Sequence, residues 1–329
     1  MPQPAAAVAA VRVAVRRSLA DLSPGALVLV ACSGGADSMA LAAATAFEAR
    51  SAAWRAGVVT VDHGLQPGSA GQAERVCGWA RSLGFVPAEV SRVGVGTAGG
   101  PEAAARTARY AALDASAQRH AASAVLLGHT LDDQAETVLL ALARGSGARS
   151  LSGMAPVRGR YRRPLLSLTR ATTTQACASA GLEPWRDPHN ADDSYTRVRI
   201  RGVLRALEAA APGATAGLAR TAALLRADAD ALDETAEAVG HLATGDDGAL
   251  DCEKLVQAGP AVRSRVLRRA ALAAGVPGGA LSRGHVSMLD SLVVAWKGQG
   301  PVSLPGGIAA RRTSGRLVFD ELPRGVRTG

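Results

Sequence analysis

A chain of 329 residues has room for two domains with cores of their own, and its 48% hydrophobic content is that of an ordinary globular protein. Four cysteines lie far apart with no CxxC pair, which argues against a disulfide framework and against a zinc or iron–sulfur site on paired cysteines, and fits a reducing cytosol. The net charge of +9 and pI near 10.3 point to a polyanionic partner, nucleic acid first; GC-rich coding accounts for Arg over Lys (only Lys254 and Lys297 are lysines) but not for the excess of basic over acidic residues.

Pro4 to Val15 is Ala/Val-rich, but Arg12, Arg16 and Arg17 interrupt or follow the apolar stretch, so it reads as an amphipathic helix rather than a signal peptide. No apolar run reaches the roughly 18 residues that span a bilayer, and no membrane partner is expected. Strands are expected at Leu27–Ala31, Val58–Val61, Pro87–Val90 and Ala124–Leu127. Helices are expected between them at Met39–Ala53, Gln72–Leu83 and Glu102 to about Ala121. This alternation predicts an α/β fold with a parallel sheet, whose ligands bind beyond the carboxyl ends of the strands. The segment from Gly128 runs into a helix that ends near Ala143, and Leu151–Arg163 is read as a basic, Gly-containing loop. A helix from Arg197 to about Ala210 precedes a break at Pro212-Gly213, and a domain boundary is placed near residue 210. Beyond it, helices at Leu218–Leu242, Val262–Ala274 and Leu281–Trp296 lead to a small hairpin within Val302–Phe319.

Cys32-Ser-Gly-Gly-Ala-Asp-Ser38 follows the first strand directly. Gly34 and Gly35 let the backbone approach a ligand, and the N–H groups of Ser33 to Ser38 converge at a helix N-terminus, which favours an anion. The Lys of a Walker A loop is missing, and Asp37 inside the loop suggests that the anion arrives with a metal ion. Gly128-His-Thr-Leu-Asp132-Asp133-Gln-Ala-Glu136-Thr137 follows the fourth strand, with Asp133 and Glu136 on one helix face. Three carboxylates and His129 at a sheet mouth call for a cation between them, a metal or a substrate ammonium; helix capping by itself needs only one acid. Arg106 and Arg109, one turn apart, could grip a phosphate or lie on a solvated helix face. Asp62-His63-Gly64 fits site or turn equally well. Arginines gather at 158–163 around Tyr161, at Arg197, Arg199, Arg201 and Arg205, and at 263–269. They could hold RNA phosphates. The Arg197/Arg199/Arg201 alternation does not fit one helix face and would start in extended chain.

Ser33–Ser38 is similar to the SGGxDS loop of the PP-loop ATP-pyrophosphatase superfamily. Val61–Leu65, Arg106–Tyr110, Gly128–Thr137, Arg144–Gly147, Leu151–Met154, Arg163–Leu166 and Asp187–Asn190, in that order, resemble the tRNA(Ile)-lysidine synthetase family. Val198 stands where that family's pattern expects Asn, and His189 where Ser is commoner. The resemblance implies a Rossmann-like PP-loop nucleotide-binding catalytic domain with a linker helix (1–210) and a smaller, mainly helical tRNA-binding domain with a terminal β-hairpin (211–329). It implies that ATP adenylates the wobble cytidine of CAU-anticodon tRNA(Ile), that L-lysine is attached, and that AMP and pyrophosphate leave. Ser33, Gly34, Gly35, Ala36, Asp37, Ser38, Asp62 and His63 would bind the nucleotide, and Asp37 would hold Mg2+. Asp133 and Glu136 would bind lysine, with Asp132 and His129 supporting the site; Arg106 and Arg109 would steady the tRNA or the adenylate. Arg163, Arg197, Arg199, Arg201 and Arg205 would face RNA. The location implied is cytoplasmic, and a homodimer is left open. The rival readings are a PP-loop tRNA sulfurtransferase and a non-catalytic RNA-binding protein.

Overall fold

The computed structural model describes residues 5–64, 68–96, 100–185 and 196–322, in two compact units, Met1–Arg226 and Ala227–Gly329. In the first unit, α1 (Ala6–Ser18) leads to β1 (Leu27–Ala31), all five of whose residues are buried. Its alternate side chains feed two cores. Val28 and Val30 pack with Leu41, Val76 and Cys177 on one face, while Leu27, Leu29 and Ala31 meet Leu113 and Ala117 on the other. Burial on both faces explains why this strand reads as a continuous apolar run.

The chain continues through α2 (Ala36–Ala52), β2 (Arg55–Asp62), α3 (Ser69–Ser82), β3 (Ala88–Arg92), α4 (Pro101–Arg119), β4 (Ala124–Leu127) and α5 (Leu131–Ala143). These match the expected elements within a few residues. β1 pairs in parallel with both β2 (Val30↔Val58) and β4 (Val30↔Leu126). The strand order reverses at β1, so the crevice between the ends of β1 and β4 is the ligand position of a doubly wound sheet.

The segment expected to be a basic loop instead contains α6 (Ala148–Leu151), β5 (Val157–Arg158) and β6 (Tyr161–Arg162). The two short strands extend the sheet to six in the order β3-β2-β1-β4-β6-β5, with only the last pair antiparallel. α7 (Arg170–Ser179), an Ala/Thr-rich helix with little apolar period in its sequence, packs against α1 and α2. α8 (Thr196–Ala210) corrects the reading of its arginines: Arg197, Arg199 and Arg201 are all helical. Arg197 and Arg201, four apart, share a face and line a common cavity, and Arg199 bonds back to Thr196 (3.2 Å). The first unit runs past residue 210 into α9 (Ala214–Ala243).

In the second unit, β7 (Leu250–Asp251), α10 (Cys252–Gln257), α11 (Pro260–Ala273) and α12 (Arg283–Val294) precede β8 (Val302–Leu304), β9 (Ile308–Thr313) and β10 (Arg316–Glu321). The expected hairpin is β9–β10, within an antiparallel sheet ordered β7-β10-β9-β8. Leu255, Leu267, Leu289, Leu292 and Leu317 fill the core beneath it. No helix among the described residues is long and apolar enough to cross a membrane.

Candidate active site

The loop after β1 is tied shut by Ser38. Its hydroxyl donates to the Gly35 carbonyl (2.9 Å) and accepts from the Ser33 N–H (3.2 Å). Gly34 sits at φ +88°, and a Cβ there would lie 2.8 Å from the Gln72 side chain and 2.9 Å from Val76. Only glycine meets both the left-handed backbone and that close approach. At the end of β4, a Cβ on Gly128 would stand 3.2 Å from the backbone of Asp37 and Ser38, so this glycine lets the fourth strand's loop touch the first.

Two cavities flank the loop. One, of about 180 Å³, lies over the ends of β1 and β2 among Ala31, Val59, Val61, Ala73, Trp185 and Asp62. The second, of about 610 Å³, takes in Gly35, Asp37, Arg109, His129, Asp133 and Arg197. Trp185 lines both, and its backbone N–H donates to the Gly34 carbonyl (2.9 Å).

The acidic cluster is held by the first turn of α7. The Arg170 backbone N–H donates to Asp132 Oδ2 (2.7 Å). Its guanidinium lies 2.8 Å from Asp133 Oδ1, 3.5 Å from Asp37 Oδ2 and 3.8 Å from Glu136 Oε1. The Thr173 hydroxyl donates to Asp37 Oδ1. One turn of helix thus joins the nucleotide loop to the acidic segment. Neither residue was expected at the site; Thr169, whose hydroxyl accepts from the Thr172 N–H at the helix start, was the available signal.

Asp133 also caps α5. Its carboxylate accepts from the Thr130 N–H (2.8 Å) while Thr130 Oγ1 accepts from the Asp133 N–H (3.4 Å). Burial opposes its charge, but Arg170 and the Thr130 N–H hold the carboxyl below the usual aspartate range. Burial pushes Asp37 up, against the pull of Thr173 and Arg170. Burial pushes Glu136 up as well, against Arg201, whose Nε lies 2.8 Å from Oε1. Burial and the nearby Arg109 charge bring His129 down to about 3, so its ring is neutral at neutral pH, with Nδ1 buried and unpartnered. Burial and Arg109 also lower His63. Asp62 Oδ1 accepts from the Gly64 N–H (3.0 Å), which realises its turn reading at the rim of the smaller cavity.

The other expected residues divide. Arg109 lines both cavities, whereas Arg106 lies over the Tyr110 ring at 5.0 Å and outside them. Arg205 lines a third cavity of about 350 Å³ with Asp132, Glu136, Arg170 and Arg201. Arg163 is not on the surface with the other arginines: it is 6% exposed and donates to the Ala155 carbonyl (2.8 Å). The 263–269 arginines are engaged within their own unit, Arg263 with Asp290 (2.6 Å), Arg265 with Asp233 (2.8 Å) and Arg269 with Glu237 (2.8 Å). Asp187–Asn190 lies outside the described residues. Among those described, no three His, Cys, Asp or Glu side chains converge to hold a metal ion by themselves.

Residues 10–207 match the PP-loop domain family, and residues 250–318 match the TilS substrate binding domain. The chain is 58% identical over 320 residues to a tRNA(Ile)-lysidine synthase of Thermobifida fusca, covering 97% of this chain and 99% of the relative. It is 56% identical to that of Streptomyces coelicolor, covering 96% and 99%. The chain belongs to the tRNA(Ile)-lysidine synthase family. Among solved structures, the U34-tRNA thiolase NcsA of Methanococcus maripaludis matches with a TM-score of 0.56 at 17% identity, over 67% of this chain and 80% of that one. That likeness concerns the PP-loop fold, which the lysidine synthase family therefore shares with a protein of different activity.

Proposed function

We propose that this chain forms lysidine at the wobble cytidine of CAU-anticodon tRNA(Ile), in the cytoplasm, with ATP as energy source and L-lysine as the group attached. The observation that carries this reading is the α7 turn, which sets the loop carboxylate Asp37 beside Asp132, Asp133 and Glu136. A nucleotide site and a site suited to an amine cation then share one wall. The apolar cavity beside Trp185 suits the adenine, and the larger cavity suits the triphosphate. Ser33 to Ser38 hold the pyrophosphate through backbone N–H groups, and Arg109, which lines the same cavity, meets its charge.

Asp37 is the residue that would hold Mg2+. A single carboxylate inside a phosphate loop fits a hard cation that takes its other ligands from phosphate and water, and the buried charge of Asp37 gains from such a partner. When bound, the ion offsets the charge that develops on pyrophosphate. The cytosine O2 attacks the α-phosphate, pyrophosphate leaves, and the lysine side-chain amine then displaces AMP from C2. Asp133 and Glu136 bind lysine, Asp132 and His129 support them, and the arginines of α8 together with the second unit take the tRNA. A second copy of the chain is compatible with this reading and is not needed for it.

Thiolation of a tRNA base is less well supported, because it needs a reactive thiolate. Cys32, Cys77 and Cys177 are buried, and burial raises all three, Cys177 up to about 11. Asp37→Ala tests the reading. It should abolish pyrophosphate release while tRNA affinity stays within a few-fold; loss of tRNA binding would make Asp37 a structural residue.

A further inference from the structure

We propose that Glu136 is the general base of lysine transfer, taking the proton that the side-chain ammonium must lose before its nitrogen attacks cytosine C2. The proposal rests on the lysidine reading above. At pH 7 only roughly one lysine amine in two thousand is neutral in water, so the step needs an acceptor.

Glu136 is 3% exposed, and its two oxygens differ. Oε1 receives Arg201 Nε at 2.8 Å and faces Arg170 at 3.8 Å. Oε2 is buried and has no hydrogen-bond partner, the only carboxylate oxygen in that condition among the described residues. A buried acceptor without a donor is costly in a finished structure and is expected where a ligand supplies the donor. Glu136 lines the 350 Å³ cavity with Asp132, Arg170, Arg201, Arg205 and Glu208, charges of both signs that suit a zwitterionic amino acid.

Each neighbouring carboxylate already has an oxygen engaged, and Asp133 has both. Asp133 Oδ2 takes the Thr130 N–H and hydroxyl, and Oδ1 takes Arg170. Asp132 Oδ2 takes the Arg170 N–H, and Asp37 Oδ1 takes Thr173. His129 is too weak a base, brought down to about 3 by burial and Arg109. Burial raises Glu136, against Arg201 and Arg170, toward the strength a general base needs.

In the step, the ammonium gives one proton to Glu136 Oε2, and the freed lone pair forms the N–C2 bond. The bond from C2 to the adenylate oxygen breaks, its electron pair leaving with AMP. The nitrogen's second proton passes to the departing phosphate, and the ring keeps one positive charge.

The test is Glu136→Gln in the full-length protein with ATP, L-lysine and CAU-anticodon tRNA, read by single-turnover pyrophosphate release and by lysidine formation against pH. Pyrophosphate release should persist while kcat for lysidine falls about 10²–10⁴-fold. The rise of rate with pH through the Glu136 ionisation should disappear, and Glu136→Asp should retain that rise at a lower rate. If Glu136→Gln raises KM for lysine and leaves kcat and the pH profile unchanged, Glu136 binds lysine without acting as base and the proposal fails. If Glu136→Asp, folded by circular dichroism, also loses the rise, the proposal fails too. Absence of lysidine with the unsubstituted protein would instead overturn the functional reading on which the proposal rests.

Discussion

At the scale of single residues, the site is built from groups with unequal freedom. Asp133 is engaged by a capping box and by Arg170, so its lowered ionisation is a structural property as well as a means of binding. Asp37 and Glu136 are the two acids of this site in which burial outweighs the opposing charges and leaves the carboxyl raised, and each lines a cavity. The loop residues and the acidic segment were legible because each carries its chemistry in a short run. Arg170 and Thr173 were not, because their importance depends on side chains more than thirty positions away. The Leu151–Met154 motif likewise proves to be a brace. Gln134 donates to the Met154 carbonyl (3.1 Å) and accepts from its N–H (2.7 Å), and a Cβ on Gly153 would collide with Gln134 at 2.6 Å. The cysteines give the prediction at this scale. Cys32 lies behind the loop and Cys177 donates to the Ala36 carbonyl (3.2 Å), both as packing groups. Replacing both by Ala should leave lysidine formation largely intact, and complete loss with the fold preserved would favour sulfur chemistry.

At the scale of elements, α1, α2 and α7 form a stack that supports the site from behind. Glu48 of α2, 2% exposed, receives Arg12 Nε (3.2 Å) and Arg16 Nε (2.7 Å) from α1. Burial opposes its charge, yet the two arginines together hold Glu48 below the usual glutamate value of 4.5. A carboxylate held low in the folded chain adds stability above its unfolded value, and that stability is lost as pH falls through the folded one. Thermal unfolding of Glu48→Gln should therefore show a lowered Tm at pH 7 and a gap that narrows as pH drops below 4.5. A gap independent of pH would mean that packing rather than charge holds α1. The βαβ alternation was legible because each strand is a short apolar run between longer helical periods. β5 and β6 were hidden by their length of two residues each, and α7 by an Ala/Thr run with little apolar periodicity.

At the scale of the whole chain, net charge +9 is a sound guide to an anionic partner but a poor guide to where that partner lies. The 263–269 arginines read as an RNA-binding group, yet Arg263, Arg265 and Arg269 are paired with acids of their own unit. Sequence shows the density of arginines; only the fold shows the acids opposite them. The reversal of strand order at β1 is a whole-chain property too, and it is what brings segments a hundred residues apart to one crevice. The central claim is that this crevice links cleavage of ATP to attachment of lysine. It is tested most directly by supplying the protein with ATP, labelled L-lysine and CAU-anticodon tRNA, and measuring AMP together with label in the tRNA. Equal amounts of AMP and tRNA-bound lysine, both dependent on Asp37, are predicted. ADP in place of AMP, or AMP formed without lysine entering the tRNA, would contradict the account.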